Sequence, residues 1–205
     1  MTADATPRPR HAAPARPARK PRADALRNRD RLLVAAKAAF AENGPEASLD
    51  DMARRAKVGI GTLYRHFPTR EAIIEAVYRR EVEQLAEAAP RLLQSLPADE
   101  AMRAWMLMLT DYIATKKLIA PALSAIARGA PDFYTSTSAR ITGAITLLME
   151  SGKTSGSIRA DVEPNDLLRA LTGIAYANIA SDWRESARRL IDVLIDGLRA
   201  GRAPP

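Results

Sequence analysis

The segment SLDDMARRAKVGIGTLYRHF, at residues 48–67, predicts two short helices joined by a tight turn, which the rest of the molecule is expected to position and switch. Ser48 is a good N-cap, and Asp51 three residues later completes a capping-box-like pattern. Gly59 can leave helical geometry and cap a second helix that begins near Ile60. An apolar stripe follows the first helix through Leu49, Met52, Ala53 and Ala56.

The second helix has one apolar face and one face suited to DNA. Leu63 and Phe67, four residues apart, supply the side expected to be buried. The other face carries small, hydroxyl-bearing, aromatic and basic groups at Ile60, Gly61, Thr62, Tyr64, Arg65 and His66. Such a face suits a helix-turn-helix whose second helix enters the major groove. Helix pairs with similar turns also occur in other helical proteins, so periodicity alone leaves DNA binding and ordinary packing open.

Four separated blocks of sequence resemble the DNA-binding domain of the TetR family of transcriptional regulators over about residues 27–87. The blocks are AAKAAFAENG at 35–44, SLDDMA at 48–53, VGIGTLYRHF at 58–67 and PTREA at 68–72. The resemblance implies a three-helix DNA-binding domain whose fourth helix leads to a regulatory domain. Two residues depart from the family pattern. Lys57 replaces the usual turn glycine, so this corner either bears a strained lysine or adopts a slightly different turn, and Gly59 replaces the usual serine cap, which should weaken that cap.

The resemblance also implies roles for individual side chains. Ile60, Thr62 and Arg65 correspond to positions that face the bases, and Tyr64, His66 and Arg70 to positions that contact phosphates. The predicted DNA-binding set is Ser48, Ile60, Gly61, Thr62, Tyr64, Arg65, His66 and Arg70.

Composition limits the class of protein. With 205 residues, 47% of them apolar, the chain can form a mostly helical protein with a substantial core. It has no cysteine and two histidines, His11 and His66, which argues against a thiolate metal site, a multi-histidine site or a histidine-based triad. We therefore expect no enzyme, metal or cofactor. Apolar runs are too short to span a bilayer, so a cytoplasmic protein is expected.

The charge distribution favours a polyanionic partner for the amino-terminal part. Lys and Arg number 17 against 12 Asp and Glu in residues 1–90, and 14 against 12 in residues 91–205, so most of the net charge of +7 lies in the first part. Residues 1–23 are predicted to be a disordered basic arm. This arm either contacts DNA or is a solvated tail.

An all-α fold of about nine helices is predicted, since no segment alternates long enough to indicate a sheet. Three regions are expected: the arm at 1–23, the DNA-binding domain with its linking helix at 24–88, and an effector-binding and dimerisation domain at 91–205. The predicted helices span residues 24–43, 49–56, 60–67, 70–88, 99–115, 117–128, 132–151, 163–180 and 182–200.

The carboxy-terminal half lacks a strong motif, and its role is implied by the family architecture. Two apolar stripes are interpreted as a dimer interface formed by Leu167, Leu171, Ile174, Leu190, Leu194 and Leu198, although both stripes could instead be internal core. Large, adaptable side chains are the candidates for an effector pocket: Trp105, Met106, Met108, Tyr112, Phe133, Met149 and Tyr176. Possible polar anchors for the effector are Thr110, Asp111, Thr146 and Asn178.

The function predicted from the sequence is sequence-specific transcriptional regulation by a homodimer. A small apolar or amphipathic effector would release the protein, most simply a repressor, from a palindromic operator on double-stranded DNA. The alternative is an architectural protein that binds DNA by charge alone and has no effector.

Overall fold

The computed structural model describes residues 21–129, 132–177 and 182–199. Over these residues the regular structure consists of eight α-helices and one 3-10 turn, which confirms the all-α prediction. The elements are α1 (Pro21–Asn43), the 3-10 turn (Gly44–Glu46), α2 (Leu49–Arg55), α3 (Ile60–His66), α4 (Arg70–Ser95), α5 (Ala98–Gly129), α6 (Phe133–Thr154), α7 (Pro164–Ala177) and α8 (Trp183–Leu198). The predicted basic arm up to residue 20, and Asn178, lie outside the described residues.

The first three helices form a small bundle around Leu32, Phe40, Met52 and Leu63, all fully buried. The two short helices could not persist alone in water, so this shared core is what holds them. The predicted N-cap is present, because the Ser48 hydroxyl accepts a hydrogen bond from the backbone amide of Asp51, in the first turn of α2, at 3.3 Å.

Helix α2 ends in a Schellman motif. The amide of Val58 donates to the carbonyl of Ala53 and the amide of Lys57 to that of Arg54, both at 3.0 Å. This geometry places Lys57 at φ = +56°, the region that glycine adopts most easily. Lys57 therefore occupies the turn position where the family usually has glycine, and its backbone is strained there.

Helix α4 is longer than predicted and joins the two parts of the molecule. It continues through Pro90 to Ser95 instead of ending near residue 88. A proline in a helix removes one backbone hydrogen bond, but Ala88 and Ala89 are buried on the packed side of the helix. Helix α4 packs on α1 and also on α5 and α6, so the same rigid element belongs to both units.

The prediction of separate helices at 99–115 and 117–128 is wrong, because α5 is continuous from Ala98 to Gly129. Pro121 therefore lies inside a helix rather than in a first turn. Ile119 and Leu123 on either side of it are buried, and their packing keeps the helix together across the missing hydrogen bond. This fusion explains why eight α-helices are present in the described residues where about nine were predicted.

Helices α6, α7 and α8 pack around α5. Gly152 on α6 is held against Ile158, since a Cβ at Gly152 would lie 2.5 Å from the Ile158 Cδ1. The amide of Arg159 then donates to the carbonyl of Leu198 at 2.8 Å, which ties the turn after α6 to the end of α8.

Candidate nucleic-acid interface and effector cavity

The outward face of α3 carries polar side chains that have no partners among the described residues. Tyr64 is 50% exposed, Arg65 is exposed and Thr62 is half-buried. Within the described part of the chain, none of these three side chains makes a hydrogen bond or an ion pair. Polar groups that are exposed and uncommitted can bind a partner without first breaking an internal contact.

The opposite face of α3 fixes its orientation. Leu63 and Phe67 are buried in the core shared with α1. The guanidinium of Arg29, from α1, lies 5.5 Å from the centroid of the Phe67 ring, and the ring of His66 lies 6.2 Å from it. Ile60 and Gly61 are exposed at the start of α3, which allows close approach of a ligand there.

Two members of the predicted DNA-binding set have structural partners. The hydroxyl of Ser48 caps α2. The Arg70 guanidinium donates through Nη1 to the carbonyl oxygens of Pro45 and Ala47, at 2.8 and 2.7 Å. Arg70 therefore anchors the start of α4 to the segment that enters α2, and a phosphate contact from its remaining N–H groups stays a prediction.

Ion pairs reduce the number of cations available beside α3. Arg55 forms a two-pronged pair with Glu42 at 2.7–2.8 Å, and Arg54 pairs with Asp51. The Arg55 hydrogen bonds hold the pKa of Glu42 below its usual value, so this carboxylate stays charged and paired. Lys57, exposed in the turn, has no such partner among the described residues, and sequence reasoning treated it only as a strained turn residue.

A second feature lies in the carboxy-terminal domain, where α4, α5, α6 and α7 border a half-open cavity of about 200 Å³. Its walls are formed by Tyr78, Leu109, Tyr112, Ile113, Lys116, Ser138, Ile141, Thr142, Leu168, Thr172 and Tyr176. Tyr112 and Tyr176 are the two predicted pocket residues that reach it. Tyr78 and Lys116 escaped sequence reasoning because one belongs to the linking helix and the other is a charged residue.

The remaining predicted pocket residues do not line this cavity. Phe133 stacks on Tyr78 with ring centroids 5.0 Å apart and so supports one wall from behind. The indole N–H of Trp105 donates to the carbonyl of Leu85 at 2.9 Å and fastens α5 to α4. Met106 and Met149 are fully buried core, whereas Met108 is exposed.

The predicted dimer residues fall into two groups. Leu167, Leu171 and Leu198 are buried inside the protomer, where they complete its own core. Leu190 is exposed, and Leu194 and Ile174 are half-buried. Val193, which belongs to the same predicted apolar stripe, is 68% exposed on the same helix as Leu190.

A larger groove of about 580 Å³ runs between α1 and α4. Its walls carry charges of both signs, including Arg29, Asp30, Glu75, Arg80 and Glu83. Its lining is rich in charged side chains, so it does not offer the mostly apolar surroundings expected for a small effector. The 200 Å³ cavity is the better candidate.

No helix of the described residues is long and apolar enough to cross a membrane. Likewise, over residues 21–129, 132–177 and 182–199, no group of three or more acidic or histidine side chains is placed to hold a metal ion.

The protein therefore combines a surface helix, whose polar face is uncommitted, with a helical domain that contains a cavity. Helix α4 connects the two. This arrangement is that of a DNA-binding regulator with two functional units. The family model for bacterial regulatory proteins of the tetR family matches residues 32–77. The model for the C-terminal domain of SbtR-like transcriptional regulators matches residues 97–200. The chain belongs to the TetR family of transcriptional regulators.

Relatives with known structures support this assignment over nearly the whole chain. The TetR transcriptional regulator SCO0520 from Streptomyces coelicolor is 45% identical, with a TM-score of 0.79, and the match covers 85% of this chain and 99% of that one. A TetR regulatory protein from Mycobacterium vanbaalenii is 31% identical, with a TM-score of 0.71, over 87% of this chain and 99% of that one.

Similarity to curated proteins is more local. The HTH-type transcriptional repressor Rv3405c of Mycobacterium tuberculosis is 43% identical over 75 residues, which is 36% of this chain. The match spans 38% of the length of that relative.

Proposed function

We propose that this protein is a homodimeric repressor that binds a palindromic DNA operator and is released from it by a small effector. The observation that carries the proposal is the outward face of α3, on which Thr62, Tyr64 and Arg65 are uncommitted while Leu63 beneath them is fully buried. A rigidly held helix with such a face can enter a major groove without rearrangement.

The side chains on this face have distinct expected roles. Arg65 is proposed to read the acceptor edge of a guanine, because its guanidinium can donate two parallel hydrogen bonds to O6 and N7. Thr62 and Ile60 are proposed to contact neighbouring bases, and Tyr64 and His66 the phosphates. Lys57 adds a cation in the turn before α3, close to where a phosphate backbone would pass.

Dimerisation is proposed to occur through α8. Leu190 is 41% exposed and Val193 is 68% exposed, and the two side chains form an apolar surface on the amphipathic helix α8. One recognition helix reads only a few base pairs, whereas two helices about 34 Å apart across a two-fold axis read both halves of a palindrome.

The dimer surface can be tested by sedimentation. Replacing Val193 with Asp should convert the dimer to monomer, because an unpaired charge would be buried at the interface. Val34, also exposed but on α1, supplies the control: Val34→Asp should leave the dimer intact. A Val193→Asp protein that remains dimeric places the interface elsewhere.

Helix α4 provides the physical route from effector to operator. Tyr78, on the cavity wall, lies eight residues after Arg70, which is about 12 Å along the helix axis. Lys37 on α1 pairs with the buried Glu81 on α4, so a shift of α4 is transmitted to the DNA-binding bundle. By linkage, an effector that weakens operator binding must itself bind less well to the DNA complex.

The decisive experiment is binding of the purified protein to DNA from its own upstream region and to a scrambled duplex of equal length, over a series of salt concentrations. A sequence-specific regulator should prefer its operator by at least about 10³-fold. If both duplexes bind with equal affinity and salt weakens that binding steeply, genomic fragments should be screened for an operator elsewhere. If none is preferred, the result favours the architectural alternative.

A further inference from the structure

We propose that the cavity between α4, α5, α6 and α7 binds a compact aromatic carboxylate, with Lys116 pairing with the carboxylate and the ring of Tyr112 packing against the ligand. This assignment rests on the proposed function, because it names the chemical class of the effector that the same cavity would take. Tyr112 and Lys116 are four residues apart on α5, so both side chains leave the helix on one face and line the cavity together.

The volume limits the ligand to a single ring with a short substituent. The cavity measures about 200 Å³. An apolar cavity of about 150 Å³ in another protein is large enough to bind benzene. A ring carrying one carboxylate therefore fits, whereas a steroid or a long acyl chain does not fit without expansion of the domain.

The walls suit an aromatic or equally flat apolar body. Tyr78, Tyr112 and Tyr176 contribute three rings to them. The aliphatic part of the lining is formed by Leu109, Ile113, Ile141 and Leu168. Aromatic rings pack against such walls in stacked or edge-on arrangements, which favours a ring over a flexible chain.

Lys116 supplies a positive charge that the protein does not neutralise. Its Nζ lies 5.2 Å from the ring centroid of Tyr134 and 5.7 Å from that of Tyr78. No carboxylate in the described part of the chain lies within ion-pair distance of it, and Glu81, which borders the same aromatic wall, is already paired with Lys37. A cation held over rings and lacking a carboxylate is a binding site for an anion.

The Tyr112 hydroxyl does not compete for the anion. Its oxygen has almost no accessible surface, so a ligand in the cavity reaches the ring of Tyr112 and not its hydroxyl. Burial raises the pKa of Tyr112, so the phenol stays neutral beside Lys116. The neighbouring Tyr78 hydroxyl donates to Thr137 at 3.1 Å while Thr137 donates to the backbone.

A single cation on the cavity wall matches a monoanion. A dianionic phosphate would bury a charge without a partner, and a neutral ring would cover Lys116 without compensating its charge. The Thr172 hydroxyl does not add a donor for the ligand, because it donates to the carbonyl of Leu168 at 2.7 Å. The geometry therefore selects a carboxylate over these two alternatives.

The test is titration calorimetry of the full-length protein with benzoate, benzamide and phenyl phosphate. Benzamide has nearly the shape of benzoate without its charge, so it should bind at least about 10-fold more weakly. Phenyl phosphate should also bind more weakly. No binding of benzoate, or equal affinity for benzoate and benzamide, would overturn the proposal.

Three variants locate the interaction. Lys116→Met removes the charge but keeps an unbranched side chain, and should weaken benzoate binding by about 10-fold or more, while Tyr112→Phe removes a hydroxyl that the ligand does not reach and should change the affinity by less than about 3-fold. Lys153→Met is the control, since Lys153 lies on α6, pairs with Glu150 and does not line the cavity. If Lys116→Met binds benzoate as well as the Lys153→Met control does, the proposed ion pair is absent.

The same samples are then assayed for operator binding with and without benzoate. If benzoate binds through Lys116 but operator affinity is unchanged, the ligand class stands and the effector role of the cavity fails. If benzoate and benzamide bind equally while the protein still prefers its operator, the ligand class fails and the DNA-binding function stands. The two proposals can therefore fail separately.

Discussion

The DNA-binding bundle and the carboxy-terminal domain place their functional groups in opposite environments. On α3, Thr62, Tyr64 and Arg65 point outward from a buried Leu63, so the partner must come to the surface. In the second domain, the cation of Lys116 and the ring of Tyr112 line a half-open cavity between four helices. A large polyanion requires an exposed face, whereas selection of one small molecule requires enclosure on several sides.

The buried side of α3 should show the largest effect on stability. Leu63→Ala removes a fully buried side chain and should lower the free energy of unfolding by about 2–5 kcal/mol, because it leaves a cavity under a seven-residue helix. Urea unfolding measures the change. Tyr64→Ala, on the exposed side of the same helix, should change the free energy of unfolding little. It should instead weaken DNA binding. Equal destabilisation by both variants would contradict the two-faced description of α3.

The exposed side should show its effect on DNA. Arg65→Ala should weaken operator binding by about 1–3 kcal/mol and relax specificity at one base pair if Arg65 reads a guanine. Fluorescence anisotropy with operator variants measures both quantities. Arg169→Ala removes the same charge from the surface of α7 and serves as the control. A loss that is uniform over all DNA sequences would assign Arg65 to a phosphate instead.

Close packing in the second domain should be sensitive to a single methyl group. Gly152→Ala should destabilise the protein by about 1–3 kcal/mol, because the new Cβ would collide with the branched side chain of Ile158. Gly143→Ala, on the exposed side of the same helix, meets nothing within 4 Å and should stabilise by about 0.5–1 kcal/mol. Thermal unfolding of the two variants gives the comparison, and changes of the same sign would contradict the tight packing at Gly152.

The smallest effect is expected in the turn of the helix-turn-helix. Lys57→Gly should stabilise the fold by about 0.5–1 kcal/mol, since relief of the left-handed backbone strain exceeds the entropy that glycine loses on folding. Chemical denaturation checks the sign. The same variant should weaken DNA binding slightly and lower its dependence on salt if Lys57 lies near a phosphate. A less stable Lys57→Gly protein would show that the lysine side chain makes a stabilising contact.

Local patterns predicted the amino-terminal half well. The Ser48 cap and the two faces of α3 depend on residues within one or two helical turns of each other. The long helices were less predictable, because Pro90 and Pro121 were expected to end or begin helices but lie inside α4 and α5. Burial of the neighbouring residues outweighs a missing backbone hydrogen bond there, and burial depends on partners far away in sequence.

The composition and the helical periodicity of this chain were enough to predict an all-α protein, since both follow from short-range spacing. The DNA-binding role of α3 was implied by the resemblance of residues 27–87 to the TetR family. Long-range packing assigned the other roles. It placed Leu167 and Leu171 in the core of the protomer, drew the Arg70 guanidinium to backbone carbonyls and brought Tyr78 of the linking helix beside Lys116. No local pattern contains such pairings, because whether a side chain is core, interface or cavity wall depends on which distant helix covers it.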